Sequence, residues 1–291
     1  MRFKGIDTVV IVIHYGRSEL THRAVASVLS GSTLPRQIVV IDNGPGEFEA
    51  DPGWPAWVAV HHAGANLGFA AGVNAAIRLA PVADGYWLLN NDAMAHPDAL
   101  EQLELASIAN PRSLVSSIVL DDSGVVWFEQ ARYLPWRAHA RHEPATHHSG
   151  EHTYTHASWR GIPYLPGTSL YLPQAAIREI GLLDEAFFLY GEDIDYSIRA
   201  LRQGWSLMVA RSSRVSHTAS SGTERSARQR MIAAAVLRIT ARYYPVLVFP
   251  GLAAGLLSGA RRSFSNRDVT EFGARAAGYL DALRGTSPRR P

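Results

Sequence analysis

The sequence predicts an α/β fold built on a mainly parallel sheet, and three observations carry the prediction. Four short, continuous apolar runs occupy the first third: VVIVIH (residues 9–14), IVVID (38–42), VAVHH (58–62) and YWLLN (86–90). Helical patterns lie between some of them, and each run ends in polar residues. Strands buried on both faces read as unbroken Val/Ile/Leu runs rather than as alternation. Strands alternating with helices read as βαβ units. In such sheets ligands bind beyond the carboxyl ends of the strands, so the polar tips His14-Tyr15, Asp42-Asn43, His61-His62 and Asn90-Asn91-Asp92 mark where a nucleotide would sit.

The elements follow in order. Residues 18–29 read as a helix with Ser18 or Thr21 as its cap, and residues 69–79 as a second. Residues 132–159 change in character: His139, His142, His147, His148, His152 and His156 crowd among Pro, Ser and Gly. Such a tract binds metal in some proteins, but this spacing matches no ligand template, so it reads as an exposed loop with solvated histidines. Structure resumes at Gly161, with an apolar run at 169–172 and a helix at 174–180. A further helix spans about residues 192–203: Ile194, Ile198 and Leu201 share one face, Asp195 and Arg199 form an i,i+4 pair, and Gly204 is a stop signal. A polar loop at 218–223 precedes a basic amphipathic helix at about 224–243, with Arg225, Arg228, Arg230, Arg238 and Arg242. The tail after Gly285 reads as disordered.

Composition narrows the function. A chain of 291 residues with 47% hydrophobic content holds one large domain or two small ones. A net charge of +2 without a concentrated basic stripe argues against nucleic acid as a partner. The absence of cysteine excludes disulfides, thiol catalysis and Cys-zinc sites. Lys4 is the only lysine, which reads as the codon bias of a GC-rich genome rather than a demand for guanidinium groups. The chain passes from Met1-Arg2-Phe3-Lys4 straight into a strand-like run without a signal-peptide pattern. The apolar stretch 244–257 is interrupted by Pro245, Pro250, Gly251 and Gly255, and is too short and broken to span a bilayer. A cytoplasmic protein is expected. The basic helix followed by this apolar stretch is of a kind that lies on anionic lipid, so peripheral contact with the inner face of a membrane is the accessory reading. Packing on the domain or on a second subunit, as in a homodimer, is the alternative.

No G-x-G-x-x-G follows the first strand, and no G-x-x-x-x-G-K-[ST], H-E-x-x-H or G-x-S-x-G occurs, so dinucleotide, P-loop, zincin and hydrolase-elbow chemistry are set aside. What remains is an acidic cluster, Glu192, Asp193 and Asp195, placed after the aromatic run Phe187-Phe188-Leu189-Tyr190. Acidic residues suit the positive end of a helix. Aromatic neighbours would also set them at the rim of a pocket.

In order, VIVIHYGR, IVVIDNG, NLGFAAGVN, LLNND, LPGTSLYL, FFLYGEDIDYSIRALRQGW and VSHTASSGT resemble the motifs of family 2 glycosyltransferases, the rhamnosyltransferase-like branch in particular, over roughly residues 8 to 223. The resemblance implies a GT-A fold: a nucleotide-binding Rossmann-like half (1–95) and an acceptor-binding half (96–223) around a continuous mixed sheet, followed by C-terminal helices (224–291). It implies inverting transfer from a nucleoside-diphosphate sugar, dTDP-rhamnose or a UDP-sugar, to an acceptor hydroxyl on a lipid-linked glycan or a small natural product. Such a reaction needs a base for the acceptor proton and positive charge on the departing diphosphate. Asp193 aligns with the family's base, and Glu192 orients acceptor hydroxyls or holds the helix start. Asp195, with its arginine one turn away, has a surface role.

Asp92 is the expected ligand of Mg2+ or Mn2+, with His217 as a second ligand where related enzymes supply an imidazole. Asn90 and Asn91 stand where the family often has carboxylates, and Asn91 is placed at the ribose. Asp42 is expected to read the pyrimidine base, His14 and Tyr15 to flank base and ribose, and Arg17 to reach phosphate. Asn66, Gly68 and Asn74 belong to the donor segment, with Gly68 letting the backbone approach the ligand; Gly167 and Thr168 line the sugar and acceptor pocket. Trp136, Trp159 and Trp205 could stack on sugars. Two other readings share these features. A non-catalytic nucleotide-sugar binder would lack the base. A nucleotidyltransferase would want a Gly-rich basic loop after the first strand, of which His14-Tyr15-Gly16-Arg17 is a poor version.

Overall fold

The computed structural model describes residues 6–44, 46, 48–143, 152–158, 161–218, 224–266 and 269–285. The first third runs β1 (Thr8–His14), α1 (Ser18–Leu29), β2 (Gln37–Asp42), β3 (Val58–His62), α2 (Phe69–Leu79) and β4 (Gly85–Asn90). The four apolar runs are four strands: β1 pairs in parallel with β2 and β4, and β2 with β3. There follow β5 (Ala93–Ala95), α3 (Ala99–Ala109), β6 (Ser113–Leu120), β7 (Val126–Phe128), β8 (Gln130–Leu134), β9 (His139–Glu143), β10 (His152–Tyr154), β11 (Ile162–Pro163), β12 (Ser169–Pro173), α4 (Gln174–Ile180), α5 (Glu192–Arg202) and β13 (Ser206–His217). Three helices close the chain: α6 (Arg225–Tyr243), α7 (Val248–Asn266) and α8 (Thr270–Leu283).

One ten-stranded mixed sheet carries the order β10-β13-β6-β12-β4-β1-β2-β3, with β5 on β13 and β7 on β6. β12 is antiparallel to both β4 and β6, and β13 is parallel to β6. The carboxyl ends of β1, β2, β3, β4, β6 and β13 therefore share one edge with the start of β12. That edge gathers His14, Asp42, His62, Asn90, His217 and Thr168. Behind it β1, β2, β4, β6 and β12 are almost wholly buried while the edge strand β3 is only half-buried, and Trp87, Tyr171 and Trp205 are among the largest core side chains.

Over its described residues the histidine-rich segment is largely strand and not the loop its composition suggests. β8, β9 and β11 form a three-stranded sheet, and His139 and His142 lie on β9, where His142 Nδ1 is 3.1 Å from the carbonyl of Trp127. His147 and His148 lie outside the described residues, as does the tail beyond Gly285. The broken apolar stretch is also continuous structure. Pro250 falls in the first turn of α7, where its missing N–H costs nothing. Gly255 lets α7 lie against α8: a Cβ there would sit 2.0 Å from the Tyr279 hydroxyl. Among the described residues no helix is long and apolar enough to cross a membrane.

α6 packs on the domain. Met231, Ala233, Ala234, Ala235, Val236, Leu237, Ile239 and Thr240 are buried. Two of its arginines are tied down, Arg230 to Asp281 at 2.6 Å and Arg242 to Asp184 and Asp195 at 2.6 and 2.9 Å.

Candidate active site

At the β1–β2–β3 end of the edge the polar side chains are held by the protein itself. Asp42 is fully buried. Its Oδ1 accepts from the backbone N–H of Gly44 (3.0 Å), and its Oδ2 from Phe48 N–H (3.3 Å) and His62 Nδ1–H (2.9 Å). Burial pushes the Asp42 carboxyl up, but these bonds outweigh it and hold the group below the usual carboxylate range. All three bonds come from the protein's own donors, and the carboxylate has no exposed surface.

His14 is buried too, with Nδ1 2.6 Å from Thr21 Oγ1 and its ring 4.3 Å from that of Phe48. Burial lowers its pKa, against the nearby Asp42 carboxylate, and its ring forms part of the floor here. Tyr15 and Arg17, just beyond it, are exposed at the mouth.

The 66–74 segment joins the two halves. Asn66 Oδ1 accepts from Gly68 N–H at 3.0 Å and from Asn43 Nδ2 at 3.2 Å, and Asn43 Oδ1 accepts from Leu67 N–H at 2.8 Å. Gly68 has φ 85°, and a Cβ on it would lie 2.3 Å from the Phe188 carbonyl oxygen. Its freedom serves this close approach to the aromatic run before α5. Asn74 is likewise a strut. Its side chain bonds the backbone of Leu183 on both atoms (2.9 and 3.1 Å) and Glu185 at 2.9 Å, leaving it turned from the strand tips.

α5 begins under constraint. Tyr190 has φ 68°, a left-handed conformation unusual for a residue with a Cβ, and Gly191 at φ 93° has no room for one, Ala235 Cβ lying 2.8 Å away. This turn aims three carboxylates in different directions. Asp195 points inward and is fully buried, where it accepts from Arg199 Nε (2.8 Å), Arg242 Nη1 (2.9 Å) and Tyr243 Oη (2.6 Å). Its expected surface role is corrected: it bolts α5 to α6. Glu192 is buried, and its Oε2 has no hydrogen-bond partner. Burial first, then the neighbouring Asp193 and Asp195, push its carboxyl well above the usual range. Asp193 is partly buried, and burial pushes it up to about 6 against backbone N–H donors that include Ile194 and Gly167.

β13 brings the other acidic group its partner. His217 pairs in register with Ala93, the residue after Asp92, and Thr218 N–H donates to the Asp92 carbonyl at 3.1 Å. His217 Nε2 is 3.1 Å from Asp92 Oδ1, yet that buried oxygen has no hydrogen-bond partner. The two atoms are close without being aligned as donor and acceptor. A carboxylate oxygen and an imidazole nitrogen so placed fit a shared divalent cation. No cluster of three or more His, Cys, Asp or Glu suited to a metal occurs among the described residues, so waters and ligand oxygens would complete the shell.

The two acidic sites meet at one junction. Asn90 N–H donates to the Thr168 carbonyl at 3.0 Å. Asp92 lies two residues beyond Asn90, and Gly167, beside Thr168, gives its N–H to Asp193. Asn91 Nδ2 holds Thr21 Oγ1 at 3.2 Å. Of the tryptophans named from sequence, Trp205 is core, its Nε1 bonded to Glu179 at 3.0 Å. Trp136 is 38% exposed on the turn after β8, and Trp159 lies outside the described residues. Sequence reasoning missed Trp127. Trp127 is 39% exposed, and its ring centre lies 5.2 Å from that of His217; only the pairing of β7 beside β13 through β6 reveals it.

Two family profiles match, one described as Glycosyl transferase family 2 over residues 9–165, the other as Glycosyl transferase family group 2 over residues 88–256. A relative 24% identical over 247 residues, spanning 74% of this chain and 77% of its own, is N-acetylglucosaminyl-diphospho-decaprenol L-rhamnosyltransferase of Mycobacterium tuberculosis. Among solved structures, GalNAc-T7 with UDP, GalNAc and Mn2+ superposes with TM-score 0.64 at 14% identity, over 82% of this chain but only 48% of that one. The mannosyltransferase PcManGT of Pyrobaculum calidifontis, with GDP-Man and Mn2+, gives TM-score 0.57 at 13% identity over 96% and 87% of the two chains. The mixed sheet, the order of the motifs along its edge and the two profiles that together run from β1 into α7 make this chain a GT-A glycosyltransferase of family 2, similar to that family's rhamnosyltransferases.

Proposed function

We propose that the protein transfers a deoxyhexose of the rhamnose type from a dTDP or UDP carrier to a hydroxyl of a lipid-linked, N-acetylglucosamine-type acceptor, inverting the anomeric carbon. The observation that carries this reading is the junction at Asn90 and Thr168, which sets Asp193 on one side and the Asp92–His217 pair on the other. Asp193 takes the acceptor proton as that hydroxyl oxygen attacks the anomeric carbon, and the bond from carbon to the diphosphate oxygen breaks. Burial serves this role, since a carboxyl near 6 is a better base than an exposed one yet is still ionised at neutral pH. Glu192, its carboxyl pushed well above the usual range by burial and by the neighbouring Asp193, has a buried Oε2 without a partner that an acceptor hydroxyl could meet.

Asp92 and His217 would hold Mg2+ or Mn2+, which supplies positive charge to the departing diphosphate. Asp42 acts on the base through His62 and the backbone N–H groups of Gly44 and Phe48 that it anchors. Residues 1–95 form the donor half, residues 96–223 the acceptor half, and residues 224–291 a helical extension.

The test is transfer by the purified protein from a panel of dTDP-, UDP- and GDP-sugars to a lipid-linked N-acetylglucosaminyl diphosphate, with Mn2+, Mg2+ or a chelator. Consumption of one deoxyhexose donor, lost on chelation, is expected. A donor that binds but is neither transferred nor hydrolysed would leave only a nucleotide-sugar binder. Transfer to a small natural product alone would replace the acceptor.

A further inference from the structure

α7 carries an apolar face that no described element covers. Phe249, Leu257 and Phe264 are 79%, 62% and 90% exposed, and Val246, just before the helix, is 84% exposed. At about 100° per residue, Phe249, Ala253, Leu257, Ala260 and Phe264 fall within an arc of about 80°. The opposite face is the one that fixes the helix: Gly251 lies against the Pro135 carbonyl, Gly255 beneath the Tyr279 hydroxyl and Gly259 against Arg275. The stripe therefore faces outward by construction.

Its surroundings are cationic. Of the eight arginines from residue 225 to residue 267, Arg230 and Arg242 on α6 are paired with Asp281, Asp184 and Asp195, so the charge at the stripe comes from its own rim. Arg261 is exposed beside the stripe. The turn touched by Gly251 adds Trp136, with the Arg137 guanidinium 4.8 Å from its ring centre. An apolar stripe with a tryptophan and arginines at its rim suits the headgroup region of an anionic bilayer. A second copy suits it less, because a two-fold contact would bring Arg261 and Arg137 toward their own copies with no acidic partner on the stripe.

We infer that the outward face of α7 is the surface on which the protein lies against an anionic membrane, Phe249, Leu257 and Phe264 entering the lipid while Arg261 and Arg137 meet lipid phosphates. The contact is assigned to α7 and not to α6, whose apolar face is buried. Its purpose rests on the lipid-linked acceptor proposed above, but the contact itself is measured without substrate. The full chain is sedimented with vesicles of phosphatidylcholine, alone or mixed equally with phosphatidylglycerol.

Binding to the mixed vesicles only, weakened by salt, is expected. Phe249→Ser and Phe264→Ser should each weaken it about tenfold, and Arg261→Gln a few-fold. Leu105→Ser and Ile108→Ser, on the exposed side of α3, should leave it unchanged. A protein that stays in solution with anionic vesicles overturns the inference. So do serine variants that bind like the parent, or that instead convert a dimer to a monomer by light scattering, which would make the face a contact between copies. Vesicle binding that survives alongside a failure to glycosylate the detergent-solubilised acceptor supports this surface and overturns the acceptor reading alone.

Discussion

The two ends of the strand-tip edge use their polar groups differently. At the β1–β2–β3 end, Asp42, Asn43 and His14 are buried and bonded to protein partners. At the β4–β12–β13 end, Asp92 Oδ1 and Glu192 Oε2 are buried with no hydrogen-bond partner, and the Asp193 carboxyl is raised by burial. Buried polar groups are nearly always paired, and leaving one unpaired costs about 1–3 kcal/mol. The first end is a finished floor. On the function proposed above, the second is the end where donor and acceptor would supply the missing partners.

Asp193→Asn should break the comparison hardest. Turnover should fall about a thousandfold, with donor Kd unchanged, because an amide keeps the shape but takes no proton. Stability gives the control. The folded carboxyl titrates at about 6, above its ordinary 3.8, so the native state binds the proton more tightly than the unfolded chain, and stability is lost as pH rises through that window. The variant escapes this loss and should melt no lower than the parent above pH ~6. In the parent, turnover should fall as pH drops through about 6 and the base is protonated. Near-normal turnover in the variant would remove Asp193 from the chemistry.

Asp195→Asn, two residues on, should do the reverse. It leaves Arg199 and Arg242 with a neutral group at their buried ends, though Arg242 keeps Asp184 and Arg199 two backbone carbonyls, and should cost about 1–3 kcal/mol in denaturant unfolding. Near-normal stability with lost turnover would exchange the roles of the two aspartates.

Much of this was legible in the sequence, and what was not has physical causes. Strands buried on both faces announce themselves as apolar runs, and α5 as a face of Ile194, Ile198 and Leu201. Motif order reached the family. Glycine was harder to interpret: Gly68 signals a close approach without saying of what, and the neighbour proved to be Phe188, distant in the chain. Asn74 and Asp195 carry polar groups of the sort sites use, but tertiary contacts spend them on other elements. β9 reads as loop because His-Ala-Arg-His-Glu is polar on both faces, and only its pairing with β8 makes it a strand. Trp127 became visible only through strand order.

The smaller effects separate the two ends more finely. His217→Ala should weaken donor binding about 10–100-fold in Mn2+ and leave it unchanged under chelation, since the imidazole acts through the cation. Isothermal titration of the nucleotide in both conditions checks this, and equal loss in both would make His217 a packing residue. Smallest at the site should be Asn74→Ala. Its amide bonds Leu183 and Glu185 and touches no strand tip, so its removal leaves the Leu183 backbone groups unpaired and should cost about 1–3 kcal/mol of stability. Donor affinity measured at a temperature where the variant is fully folded should match the parent. If affinity fell while stability held, the strut would be a ligand contact, and the division between a finished floor and an incomplete shell would have to be redrawn through α2.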